Sequence, residues 1–174
     1  MSAILKPQVP EVTFRRVTEQ DIETVAAIER DVYAFPWTPG NFRDALLAGY
    51  RFWGCWHAAS PERSAPGSTQ GQVPAEELIG YAIIMLAVDE AHLLNIAVKR
   101  EWQSRGVGRH MLHFSMEEAR KHECVMLYLE VRPSNTSAIK LYESTGFRQW
   151  GVRRDYYPAH EGREDALFLG VELI

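Results

Sequence analysis

Cysteine is scarce: Cys55 and Cys124 are the two in 174 residues, and they show no C-x-x-C spacing. That excludes a disulfide framework. Apolar neighbours at Trp53–Trp56 and Val125–Met126 predict buried free thiols. No run of 18 apolar residues occurs, so no membrane-spanning helix is expected. The first residues lack a basic stretch followed by an apolar segment, so no secretory signal is expected and the cytoplasm is the expected compartment. A bulk positive charge is missing as well. The net charge of -4 argues against a protein held to nucleic acid by electrostatics. Gly-Lys-Ser/Thr is absent, which rules out a P-loop, and Met111 stands where a Rossmann fingerprint needs its third glycine. His57, His92, His110, His113, His122 and His160 are scattered. His110 and His113 share a helix face without a third ligand in range, so no metal is expected.

The length and the 46% hydrophobic content suit one globular domain. Residues 1–11 are interrupted by proline and read as a flexible arm ahead of a domain over 12–174. Ala59–Ala75, with Pro61, Pro66, Gly67, Gly71 and Pro74, reads as a mobile loop excursion. Strands are expected at 12–17, 51–58, 78–88, 91–98, 125–131, 147–156 and 164–173, from alternation and short apolar runs. Helices are expected from Thr18 to about Tyr33, from Thr38-Pro39 onward, over 106–122 and over 135–144. The order β-α-α-β-β-β-α-β-α-β-β implies an α/β (α+β) class: a mixed, mostly antiparallel sheet flanked by helices.

Charge is unevenly spread. Residues 99–154 hold eleven Lys and Arg against six Asp and Glu, inside an otherwise acidic chain. A local basic stretch of this kind suits a small polyanionic ligand. Within it, Gln103-Ser104-Arg105-Gly106-Val107-Gly108 lies after a strand and before a helix. Two glycines permit tight backbone geometry, the new helix offers unpaired N–H groups to an anion, and Arg105 and Arg109 add charge-assisted contacts to phosphate oxygens. The glycines alone are equally compatible with an ordinary turn carrying solvated arginines.

Alternation in Met126–Val131 puts Met126, Tyr128 and Glu130 on one face. Glu130 is then either a desolvated carboxylate fit to act as a base, or a strand-end residue paired with Arg132 or another arginine. Tyr142 follows Asn135 by seven positions, two helical turns, which places both on one face of the short helix. A tyrosine at such spacing is most often core packing.

Together these pieces resemble the GCN5-related N-acetyltransferase (GNAT) superfamily. The resemblance is carried by Gln103-x-x-Gly106-x-Gly108 and by Asn135-x-x-Ala138-x-x-x-Tyr142-x-x-x-Gly146-Phe147. Phe35-Pro36-Trp37, Asn95–Val98, Leu129–Arg132, Leu141–Ser144, Arg154-x-Tyr156-Tyr157-Pro158 and Gly162–Ala166 narrow it to the ribosomal-protein-alanine N-acetyltransferases. The resemblance implies direct acetyl transfer from acetyl-CoA to the N-terminal alanine of a small-subunit ribosomal protein, without metal, membrane or nucleic acid; the alternatives are an acetyltransferase for a small-molecule amine and a non-catalytic acyl-CoA-binding regulator. It implies cofactor contacts at Ile96, Ala97 and Val98, at Gln103, Ser104, Arg105, Gly106, Val107, Gly108 and Arg109, and at Asn135. It further implies Glu130 as general base and Tyr142 as general acid. The arm, the 59–75 excursion and Arg105 depart from the pattern of the relatives.

The residues suit that chemistry on their own terms. A free α-amine has a pKa of about 7.7–8.0, so near neutral pH it must lose a proton before attack. Glu130 is the carboxylate placed to accept it, a strand N–H such as that of Val98 would face the developing oxyanion, and the Tyr142 hydroxyl would face the leaving thiolate. Phe35, Trp37 and the Tyr156-Tyr157 segment are expected to wall the acceptor.

Overall fold

The computed structural model describes residues 10–58 and 76–173. Most of the expected 1–11 arm and all of the 59–75 excursion lie outside the described residues.

Local chemistry explains where the elements start and stop. Strand β1 (Val12–Arg16) ends before Thr18, whose N–H donates to the Asp21 carboxylate at 2.8 Å. A single 3-10 turn, Glu19–Asp21, follows, and helix α1 (Ile22–Val32) continues from it. The helix expected from Thr18 therefore opens as a 3-10 turn capped by Thr18, and the α-helix proper begins at Ile22. Helix α2 (Pro39–Leu47) carries a reciprocal cap. The Thr38 hydroxyl accepts from the Asn41 N–H at 3.3 Å, and the Asn41 side chain accepts from the Thr38 N–H at 2.8 Å. Pro39 occupies the first helical position, where its missing N–H has no intrahelical partner to lose.

Strands β2 (Arg51–Ala58), β3 (Glu76–Ala87) and β4 (Glu90–Val98) form an antiparallel meander with β1. Helix α3 (Val107–Lys121), strand β5 (Met126–Val131) and helix α4 (Thr136–Ser144) follow. Gly146 ends α4 with a φ of 98°, a left-handed conformation that favours glycine. Strands β6 (Arg148–Pro158) and β7 (Arg163–Glu172) close the chain.

The seven strands form one sheet in the order β1-β2-β3-β4-β5-β7-β6. Every pairing is antiparallel except β4 with β5. Two cores sandwich the sheet. Ile22, Val25, Phe42, Phe52 and Tyr81 fill the space under α1 and α2, and Met111, Leu112, Ala119, Leu127, Leu129 and Tyr142 fill the space under α3 and α4. Cys55 and Cys124 are both buried and both free, as expected from their neighbours.

The feature that makes a site is where the parallel pairing stops. The β4–β5 register runs from Glu90↔Met126 to Leu93↔Leu129 and goes no further, while β4 continues to Val98 and β5 to Val131. A register shift opposite Leu94, between Ile83 and Ile84 of β3, turns β4 at the point of departure.

Candidate active site

Two cavities flank the parted strands. The larger, about 720 Å³, is lined by Ile96, Ala97 and Val98 of β4, by the turn before α3, and by Ser134, Asn135, Ala138 and Leu141 of the β5–α4 turn and α4. The smaller, about 260 Å³, is lined by Glu130 and Arg132 at the end of β5, by Tyr142, by Phe35 and Trp37 of the α1–α2 link, and by Tyr157 and Pro158 of β6. Tyr33, Ile96 and Asn135 line both, so the cavities meet there.

The larger cavity has features that could hold an anion. Gly106 stands at a φ of 84°, where only glycine is comfortable, and it opens a 15-residue helix whose first N–H groups lack intrahelical partners. Ser104 also adopts a left-handed φ of 59°, which makes a tight turn of the whole segment. Gly108 and Arg109 face the cavity, and Arg109 donates to the Ser144 hydroxyl at 2.8 Å. Gln103 both lines the cavity and donates from Nε2 to the Val98 carbonyl at 2.9 Å, tying the turn to the end of β4.

Two expected contacts are placed differently. The Val107 side chain is buried in the core, since the first turn of α3 must bury one face against the sheet. The Arg105 guanidinium lies over the Trp102 ring at 5.2 Å, and Arg105 does not line the cavity. Asn135 stands outside α4 as its N-cap, with its side chain accepting from the Ala138 N–H at 3.2 Å. It therefore does not share a helical face with Tyr142, although it lines the cavity. Arg100 lines the cavity too and was not expected there. It is anchored by donating to the Asp31 carbonyl at 2.8 Å, a contact between segments far apart in sequence.

In the smaller cavity the Glu130 carboxylate meets the Arg153 Nε at 2.9 Å, with side chains 14% and 50% exposed. The paired arrangement is therefore found, with an arginine from β6 rather than Arg132. Tyr142 is buried, its ring lies 5.6 Å from Phe147, and burial pushes its phenol above the ordinary value. Tyr157, between the walls, is pushed up by burial first and then by Tyr156 and Glu130.

The sequence reading missed Glu29. It is 2% exposed, and its carboxylate accepts from the Trp37 N–H at 2.9 Å, from Asn95 Nδ2 at 3.3 Å and from the Tyr81 hydroxyl. The Tyr33 hydroxyl donates to the Ile96 carbonyl at 2.5 Å. Together these bonds fix the α1–α2 link against β3 and β4, at the place where β4 leaves β5. Glu29 falls on the apolar face of α1, and a charge on that face was the only trace it left in the sequence. Among the described residues, no group of three or more His, Cys, Asp or Glu side chains is placed to hold a metal, and no helix is long and apolar enough to cross a membrane.

The chain is similar to known proteins over most of its length. The family model described as Acetyltransferase (GNAT) family matches residues 22–147. The [ribosomal protein bS18]-alanine N-acetyltransferase of Escherichia coli (strain K12) is 35% identical over 161 residues, covering 92% of this chain and 97% of that protein. The protein of the same name from Haemophilus ducreyi is 30% identical, covering 90% and 97%. The crystal structure of the ribosomal-protein-S18-alanine N-acetyltransferase from Escherichia coli superposes with a TM-score of 0.76 at 32% identity, over 94% of each chain. Ard1 from Thermoplasma volcanium, at 21% identity and a TM-score of 0.74 over 94% and 98%, shares the fold. A family model over most of the chain and relatives at 30–35% identity leave one conclusion: the chain belongs to the acetyltransferase (GNAT) family.

Proposed function

We propose that this chain transfers the acetyl group of acetyl-CoA directly to the α-amine of an N-terminal alanine, the acceptor being a small-subunit ribosomal protein. One observation carries the reading. The parting of β4 from β5 leaves two cavities that meet at Ile96, and the smaller holds a carboxylate and a buried phenol. Relatives 30–35% identical over most of the chain bear the name of a bS18-alanine N-acetyltransferase, which supports the choice of acceptor.

Acetyl-CoA supplies, when bound, an activated acyl carbon on a thiol leaving group. The larger cavity fits it: Gly106, Gly108, Arg109 and the start of α3 would hold the diphosphate, with Arg100 adding charge, and Asn135, Ala138 and Leu141 would flank the arm. Glu130 accepts the proton of the incoming amine as Arg153 is displaced from it. The Tyr142 hydroxyl, kept protonated by burial, donates toward the sulfur. Phe35, Trp37 and Tyr157 wall the acceptor, and Glu29 holds the segment that carries the first two. Free buried thiols and a ribosomal acceptor both suit the cytoplasm.

The test is turnover of acetyl-CoA with an alanine-started peptide beside free small amines, followed by mass spectrometry of the peptide. A single acetyl group on the N-terminal alanine, with small amines turned over far more slowly, is the expected result. Preference for a free amine would overturn the choice of acceptor.

A further inference from the structure

One side chain draws together the separate segments that wall the smaller cavity. Arg132 stands just past the end of β5, two residues beyond Glu130. Its Nη1 donates to the Pro158 carbonyl at 2.8 Å and to the Glu164 carboxylate at 3.1 Å. The guanidinium lies over the Tyr157 ring at 4.3 Å and over the Phe35 ring at 5.3 Å. Phe35 belongs to the α1–α2 link, Tyr157 and Pro158 to β6, and Glu164 to β7. A planar guanidinium can stack on rings and hydrogen-bond in its own plane at the same time, which an ammonium cannot do.

Glu164 extends the arrangement to the other cavity. Its second oxygen accepts from the Ser134 N–H at 3.0 Å, and Ser134 and Asn135 line the larger cavity. The two side chains are 22% and 25% exposed, so solvent screens the pair only in part. The ion-pair partner of Glu130 is instead Arg153.

We propose that Arg132 and Glu164 are positioning residues for the acceptor. Arg132 sets the spacing of Phe35 and Tyr157, between which the first residues of a peptide pass, and Glu164 ties that spacing to the Ser134–Asn135 turn beside the cofactor arm. This rests on the peptide reading above. Its consequence is selective: a peptide threading between the two rings depends on their spacing, whereas a small amine able to reach Glu130 without filling the gap does not.

The experiment uses the full chain, with acetyl-CoA, an alanine-started hexapeptide and a small primary amine as acceptors. Arg132→Met keeps the bulk of the side chain and removes stacking and both hydrogen bonds. The peptide KM is expected to rise on the order of tenfold, with kcat and the acetyl-CoA KM nearly unchanged. Turnover of the small amine should fall by a smaller factor than turnover of the peptide. Arg132→Lys restores charge without the planar stack and should recover only part of the loss. Glu164→Gln should raise both KM values, because an amide offers one oxygen where the carboxylate offers two. If Arg132→Met does not fold, Arg132→Lys combined with Phe35→Leu serves instead, and strictly additive effects on the peptide KM would overturn the proposal. An unchanged peptide KM accompanied only by a lower Tm would overturn it too, since that pattern marks a merely structural pair. If the wild-type chain does not acetylate the peptide at all, the acceptor reading fails, and that failure is visible before any variant is compared.

Discussion

Glu130, the proposed base, faces two demands that its surroundings set against each other. A base has to take a proton from an ammonium, and at rest its carboxylate is engaged by a guanidinium 2.9 Å away. The two are reconciled by exposure: Arg153 is half exposed and sits on the edge strand, so an incoming ammonium can replace it without opening the core. Glu130→Gln keeps the shape and removes the base, so kcat should fall by roughly 10²–10⁴ with acetyl-CoA affinity nearly unchanged, measured by steady-state kinetics. Tyr142→Phe should keep the fold, since the ring packs on Phe147, and should lower kcat by weakening departure of the thiolate. A thioester with a more acidic thiol should restore part of that loss in Tyr142→Phe and little in Glu130→Gln. If both folded variants keep near-wild-type kcat, the acid–base assignment falls. At this scale the sequence is legible where the cue is local. Strand alternation put Glu130 on one face, but its partner lies on β6, across β7, and no spacing announces that pair. Glu29 is hidden for the same reason, because its three donors come from β3, β4 and the α1–α2 link.

Among the elements, turn chemistry fixed the boundaries and left the sheet order open. Thr38-Pro39, Gly146 and the Pro158–Gly162 turn act within a few residues, so the order of strands and helices could be read directly. The insertion of β7 between β5 and β6, and the end of the β4–β5 pairing at Leu93↔Leu129, are long-range choices with no local mark. The turn before α3 is the element most exposed to a simple test. A Cβ at Gly108 would sit 3.4 Å from a Leu141 methyl, an ordinary contact, so Gly108→Val should fold. Its two methyls would then occupy space beside the diphosphate, and the acetyl-CoA KM should rise at least about tenfold with the peptide KM nearly unmoved. Trp37→Ala should give the opposite pattern, because Trp37 lines only the smaller cavity. Unchanged acetyl-CoA KM in folded Gly108→Val would remove the phosphate assignment, and a rise in the acetyl-CoA KM alone for Trp37→Ala would move the acceptor elsewhere.

For the molecule as a whole, the decisive fact is that the two cavities have separate walls and a shared boundary at Tyr33, Ile96 and Asn135. Two substrates can therefore be held together, and in the proposed reaction the amine meets the thioester where β4 leaves β5. A double-displacement route would instead need an enzyme nucleophile within reach of the thioester, and the thiols are the natural candidates. Neither qualifies. Cys55 and Cys124 line neither cavity, both are buried, and burial pushes the Cys55 thiol up to about 12. Burial therefore keeps that thiol protonated near neutral pH, and its reactivity is low. Kinetics should accordingly be sequential. Double-reciprocal plots at several peptide concentrations should intersect, acetyl-CoA alone should release no burst of CoA, and Cys55→Ala and Cys124→Ala, where folded, should keep kcat within about threefold of wild type. Parallel lines, together with an acetylated protein trapped by mass spectrometry in the absence of peptide, would mean that the joined cavities serve a relay instead of a direct transfer.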